Sequence, residues 1–305
     1  MLSEEVRNEL ASIAPRRECC RLAELSALFH SAGAVHLLGR GEVSLHLDVA
    51  DNAVARRAFS LLREFGVESE IRTYRRRAFA RETRYQLHVV GSGRALQVLH
   101  EAGVLTSALA PLERPPRRVV GRSCCRSAYL RGALLGGGSV SGPQAPHLEL
   151  RAAGRAGAEF IVGVAAAEGV TLRALERRGH AYAYAKGADA IGDALAAAGA
   201  SDAVLAFQER VVMGEAKARA NRLANADHAN LVRASRAAHA QLEAVRQLAD
   251  SGRLESLPRP LREIAELRLE HPSLSLRELA LECDPPVTKA SAHRRLSHLI
   301  RLAER

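Results

Sequence analysis

Cys19–Val35 reads CCRLAELSALFHSAGAV, and Cys124–Val140 reads CCRSAYLRGALLGGGSV. The second stretch repeats the first 105 residues downstream without a gap. Ala23 aligns with Ala128, Leu25 with Leu130, Gly33 with Gly138 and Val35 with Val140. Each stretch is an apolar, small-residue run that stops at a glycine and gives way to a β-prone residue, which predicts a helix entering a strand. Small residues along both runs suit a close contact between the two helices. Solenoid units run to roughly 20–50 residues, so a period of about a hundred points instead to a duplicated half-domain.

Outward from the first stretch, Val35–Leu38 and Val43–Val49 predict strands around the hairpin signal Gly39-Arg40-Gly41. Asp51 or Asn52 caps a helix carrying Val54, Ala58, Leu61, Leu62 and Phe65, ended by Gly66. Val67–Arg75 and Arg84–Val90 form a second hairpin, and Ser92 opens a helix that stops at Gly103. The order is αββαββα. The second copy retraces it through helix Arg126–Leu135, strand Leu148–Ala152, helix Ala156–Glu168, strands Val170–Leu175 and Tyr182–Lys186, and helix Ala188–Ala198. These patterns place a first repeat with its N-terminal helix at 1–112 and a second at 113–208, joined through Pro115-Pro116.

Beyond it, Glu209–Asp250 contains no proline and keeps helical spacing. It is one long connecting helix, or two broken near Ala224–Asp227, within a linker at 209–256. A module at 257–305 opens with Leu257-Pro258-Arg259-Pro260. It predicts helices at Arg262–Leu269, after Ser275 with its capping box to Glu278, and at Lys289–Ala303 behind Thr288. A short second helix followed by a basic third is the helix-turn-helix pattern, whose third helix enters the major groove. The candidate DNA-binding residues are Arg277, Thr288, Lys289, Ser291, His293, Arg294, Arg295 and His298.

Composition agrees. The 305 residues carry a net charge of +10, which favours a polyanionic partner. Single arginines weigh little, because only Lys186, Lys217 and Lys289 are lysine and the Arg and Ala bias suggests a GC-rich genome. Arg72, Arg75, Arg77, Arg81 and Arg84 still cluster in the second hairpin and are candidate phosphate contacts. No run approaches the roughly 18 apolar residues of a membrane span, and the N-terminus reads as an acidic amphipathic helix rather than a signal peptide. Four of the five cysteines form adjacent pairs without the C-x₂₋₄-C spacing of structural zinc sites. The expectation is a reduced cytoplasmic protein with small buried thiols at a helix contact, no metal and no cofactor.

Two αββαββα units joined through paired, small-residue helices resemble the LAGLIDADG homing endonucleases. In that family the last acidic residue of each motif helix binds the metals that cut DNA. Here Leu25–Gly33 and Leu130–Gly138 align with the motifs, and Ala32 and Gly137 stand at the carboxylate positions. Neither offers an oxygen ligand, so the fold is expected without the nuclease.

A degenerate, duplicated LAGLIDADG scaffold joined to a C-terminal helix-turn-helix resembles the WhiA-type sporulation regulators over essentially the whole chain. The marks are the paired CCR motifs, the linker ANRLANADHANLVRAS and the tail SLRELALECDPPVTKASAHRRLSHLIRLA, itself similar to the promoter-reading module of sigma factors. The resemblance implies an α+β fold: a pseudo-twofold αββαββα domain, a helical linker and an all-α helix-turn-helix domain. It also implies a nucleoid-associated transcription regulator of cell division and sporulation septation, no enzyme. Its partners would be promoter double-stranded DNA, an iron–sulfur regulator of the WhiB type and RNA polymerase, with no membrane partner. The alternatives are a metal-dependent homing-type endonuclease and a protein-interaction scaffold that does not bind DNA.

Overall fold

The computed structural model describes residues 2–39, 42–75, 83–142, 145–177 and 179–304. The chain forms two compact units, residues 1–215 and 216–305. In the first, α1 (Leu2–Ser12) precedes one αββαββα copy: α2 (Glu18–Ala32), β1 (Gly33–Gly39), β2 (Glu42–Val49), α3 (Asn52–Glu64), β3 (Ser69–Arg75), β4 (Thr83–Val90) and α4 (Gly93–Glu101). The other copy is α5 (Ser123–Gly137), β5 (Gly138–Ser141), β6 (His147–Ala152), α6 (Arg155–Ala166), β7 (Arg173–Arg177), β8 (His180–Lys186) and α7 (Ala188–Ala198). Each copy builds an antiparallel four-stranded sheet, in the orders β1-β2-β4-β3 and β5-β6-β8-β7. Strand alternation sends Leu45, Leu47, Leu87 and Val89 into the core of the first copy and Leu148, Leu150, Ala181 and Ala183 into that of the second.

Helices α2 and α5 lie at the centre, and their sequences explain why. Ala23 through His30 are all buried, as are Ala128 through Leu135, so neither helix has a solvent face. Backbones approach where side chains vanish. A Cβ on Gly132 would stand 2.4 Å from the Glu24 carbonyl oxygen and 2.8 Å from the Ala27 Cβ. One on Gly136 would meet the Ser31 Cβ at 3.0 Å, so the two helices run in the same direction. At their far ends Gly33 and Gly138 make the turn into a strand with ordinary φ values of −85° and −80°. Close approach is what requires glycine there. An added Cβ would sit 2.5 Å from the Phe29 oxygen in one copy and 2.4 Å from the Leu134 oxygen in the other.

One carboxylate ties this centre together. Glu24 is fully buried and accepts from Arg57 of α3 at 2.7 Å and from Arg131 of α5 at 2.9 Å. Arg131 also donates to the Ala198 carbonyl. A lone buried carboxylate would be costly, and the two guanidiniums offset that cost.

The paired cysteines lie at the contact between α2 and α5, as expected, and all four are drawn together there. The Sγ atoms of Cys19, Cys20, Cys124 and Cys125 all lie within 4.8 Å of one another. The spacing rule that argued against a metal site assumes ligands delivered by one local segment. Here the pairing of α2 with α5 assembles them from two segments 105 residues apart.

The second copy also departs in detail. Strand β7 begins at Arg173 and not at Val170, because Val170 and Leu172 turn into the core before the edge strand pairs with β8. Gly199, at φ +94°, closes α7 in the left-handed conformation, and α8 (Ser201–Asp250) starts at once, earlier than the expected Glu209. It is one continuous helix. The Glu9 carboxylate of α1 accepts from the first-turn N–H groups of Asp202 and Ala203 at 2.9 and 2.7 Å, an anion at a positive helix end. Asn221, Asn225, Asp227 and Asn230 are exposed along α8, where they do not break it.

In the second unit the last turns of α8 join α9 (Arg259–Glu270), α10 (Leu276–Glu282) and α11 (Lys289–Ala303). Val245, Leu248 and Leu254 share one core with Ile264, Leu279, Leu296 and Leu299, so the bundle's apolar centre reaches upstream of Leu257. Arg268 is buried in it, with no acidic partner among the described residues. It donates to the Leu274 carbonyl at 2.7 Å and to Gln241 of α8 at 3.0 Å, and burial pulls its pKa down. It thereby ties α8 to the loop that precedes α10.

Candidate nucleic-acid interface

The turn between α10 and α11 is set by capping. Ser275 accepts from the Glu278 N–H at 3.3 Å while its own N–H donates to the Glu278 carboxylate at 2.7 Å. Asp284-Pro285-Pro286 ends the helix, and the Val287 N–H reaches back to the Ala280 carbonyl at 2.8 Å. Thr288 then starts α11, accepting from the Ser291 N–H at 3.2 Å. Ala292, Leu296 and Leu299 face the core, which leaves Lys289, His293, Arg294 and His298 exposed along the opposite side. Arg277 is exposed on α10.

Three candidates sit otherwise. Thr288 uses its oxygen as the cap and Ser291 is half-buried. Arg295 turns towards α9, 3.7 Å from the Glu263 carboxylate and 3.5 Å from the Pro260 carbonyl. Since Thr288 positions α11, Thr288→Ala should cost about 1 kcal/mol of stability and Thr288→Ser little, read by urea denaturation.

The open faces of the two sheets differ in charge. On the first, Arg72 pairs with Glu70 at 2.8 Å and Arg84 with Asp48 at 2.5 Å, and Tyr74 also bonds to Asp48. His36 stacks on His46, with ring centroids 4.7 Å apart, beside His88 on the next strand. Arg75 is exposed at the end of β3, whereas Arg77 and Arg81 lie outside the described residues. Of the expected phosphate-binding cluster, Arg72 is thus engaged by Glu70 of its own strand and Arg84 by Asp48 of β2. On the second sheet the registers align Arg151, Arg173, Arg177, Lys186, Tyr182 and Tyr184 on the face away from the core. No ion pair engages those four cations among the described residues. The alternation in HLELRA and HAYAYAK carries this signal.

Between the ends of α2 and α5 lies a cleft of about 440 Å³ lined by Ala32, Gly137, Asp48, Asp51, Arg7, Arg84 and Arg151. It is the place where motif carboxylates would hold metal ions. Its two aspartates are engaged by arginines, Asp48 by Arg84 and Asp51 by Arg7. A two-metal centre needs several anionic oxygens free to ligate, and here each carboxylate is held by a guanidinium.

Comparison with known proteins agrees with this layout. The model of the WhiA N-terminal LAGLIDADG-like domain matches residues 18–105, that of the WhiA LAGLIDADG-like domain residues 126–217, and that of the WhiA C-terminal HTH domain residues 220–303. The probable cell division protein WhiA of Heliobacterium modesticaldum is 36% identical, covering 99% of this chain and 95% of the relative. That of Streptomyces griseus is 37% identical, covering 100% and 92%. The crystal structure of "full-length DUF199/WhiA from Thermatoga maritima" matches with a TM-score of 0.56 at 22% identity, over 99% of this chain and 97% of that one. On the order of its domains and the extent of these matches, the chain belongs to the WhiA family.

Proposed function

We propose that this chain is a sequence-specific DNA-binding regulator of cell division that has kept the LAGLIDADG scaffold and lost its nuclease chemistry. The observation that carries the reading is α11, capped by Thr288, with Lys289, His293, Arg294 and His298 exposed on one side. A helix so presented fits the major groove, where Arg and Lys side chains reach guanine edges. The open face of the second sheet supplies further cations suited to phosphates, which add affinity without sequence information. Loss of cleavage follows from Ala32, Gly137 and the arginine-engaged aspartates. The relatives' description as probable cell division proteins supports the cellular role, and no helix among the described residues is long and apolar enough to cross a membrane. The narrower part of the reading is regulation of septation from promoters on the nucleoid, together with RNA polymerase and an iron–sulfur regulator.

Genome-wide footprinting of the full chain tests it. Discrete promoter sites, with supercoiled plasmid left intact in Mg²⁺, are the expected result. Chelator-sensitive nicking would restore the endonuclease reading. A stable protein partner with DNA binding at background would favour the scaffold.

A further inference from the structure

The four-thiol cluster plays no part in the DNA-binding reading. Cys19 and Cys20 are the second and third residues of α2, and Cys124 and Cys125 hold the same places in α5. The close approach of the two helices brings all four Sγ atoms within 4.8 Å of one another, with Cys20 and Cys125 buried and Cys19 and Cys124 partly so. A tetrahedral zinc with bonds of about 2.3 Å sets its sulfurs about 3.8 Å apart, so adjustments of an ångström or less would close the shell. An iron–sulfur cluster places several irons and inorganic sulfide between its cysteines and needs them farther apart than a single ion does.

The charge around the thiols fits the same ligand. Four thiols that bind one divalent cation release four protons and leave a site of charge −2. Arg17 Nη1 stands 3.7 Å from the Cys124 Sγ. The positive ends of α2 and α5 both point at the cluster, and neither Arg17 nor Arg122 caps its helix with a side chain. Protons and a metal compete for the same sulfurs, so affinity should rise with pH.

We infer that Cys19, Cys20, Cys124 and Cys125 form a structural tetrathiolate site for one soft divalent cation of the zinc type, which staples the two repeats together at the start of their central helices.

The test uses the untagged full chain purified with its thiols reduced and without chelator. Elemental analysis should find about one zinc per chain. After chelator treatment, cobalt(II) should produce the intense sulfur-to-cobalt charge-transfer band and visible bands of a tetrahedral thiolate centre, and zinc should bleach them. Cys19→Ser/Cys124→Ser, which changes only the partly exposed pair, should abolish the cobalt spectrum while circular dichroism stays unchanged. If that variant fails to fold, the wild-type cobalt titration decides alone. A reduced chain that gives no charge-transfer band overturns the inference. Two disulfides by intact mass with no metal bound would do the same, and so would iron accompanied by acid-labile sulfide.

Discussion

Replacing Glu24 by Ala is expected to destabilise the first unit by about 3–5 kcal/mol, the range for removing one partner from a buried ion pair. Glu24 is fully buried, and Arg57 and Arg131 are almost so, with side chains 5% and 7% exposed. Without the carboxylate, two guanidiniums from α3 and α5 face each other across the contact between the repeats. Arg57 Nη2 already has no hydrogen-bond partner among the described residues. Glu24→Gln keeps an acceptor but not the charge and should fall in between. The control is Glu70→Ala, which removes an ion pair whose side chains are 55% and 63% exposed and should cost at most about 1 kcal/mol. Urea denaturation of the three variants checks the order. Equal midpoints for Glu24→Ala and Glu70→Ala would mean that the buried triad does not hold the repeats together.

The architecture was legible because its signals are local. Strand alternation in LHLDV and LELRA, helical spacing in α3 and α6, and the caps Ser92, Ser275 and Thr288 each act within a few residues. The gapless repeat around Cys19 and Cys124 added the pairing of α2 with α5. What the pairing implies was harder to read. Residues at matching places in two copies meet wherever the copies touch, so the repeat held the clue to the thiol cluster, yet a spacing rule for single segments pointed away from it. Arg294 and Arg295 are adjacent in sequence, and only the rotation of α11 about its axis separates an exposed guanidinium from one held by Glu263. Arg84 of the first hairpin looked free because Asp48 lies on another strand and reaches it only through the β2–β4 register.

That separation decides the last prediction, which rests on the proposed DNA-binding role. Arg294 is exposed in the second turn of α11, where its guanidinium can reach the N7 and O6 of a guanine. Arg294→Ala should cost about 1–3 kcal/mol on a cognate site, roughly 5- to 150-fold in Kd, and less on random DNA. Arg295→Ala removes a contact to Glu263 instead, so its effect should appear in stability more than in discrimination between sites. On the second sheet, Arg173 and Arg177 of β7 are exposed without an ion pair among the described residues, whereas Arg72 is paired with Glu70. Arg173→Ala/Arg177→Ala should therefore weaken cognate and random DNA about equally and flatten the salt dependence, while Arg72→Ala should do less. Fluorescence anisotropy on both DNAs across a salt series distinguishes the two behaviours. Should the sheet variant lose discrimination while Arg294→Ala keeps it, the LAGLIDADG-like unit would be the reader, and α11 would serve for phosphate contact alone.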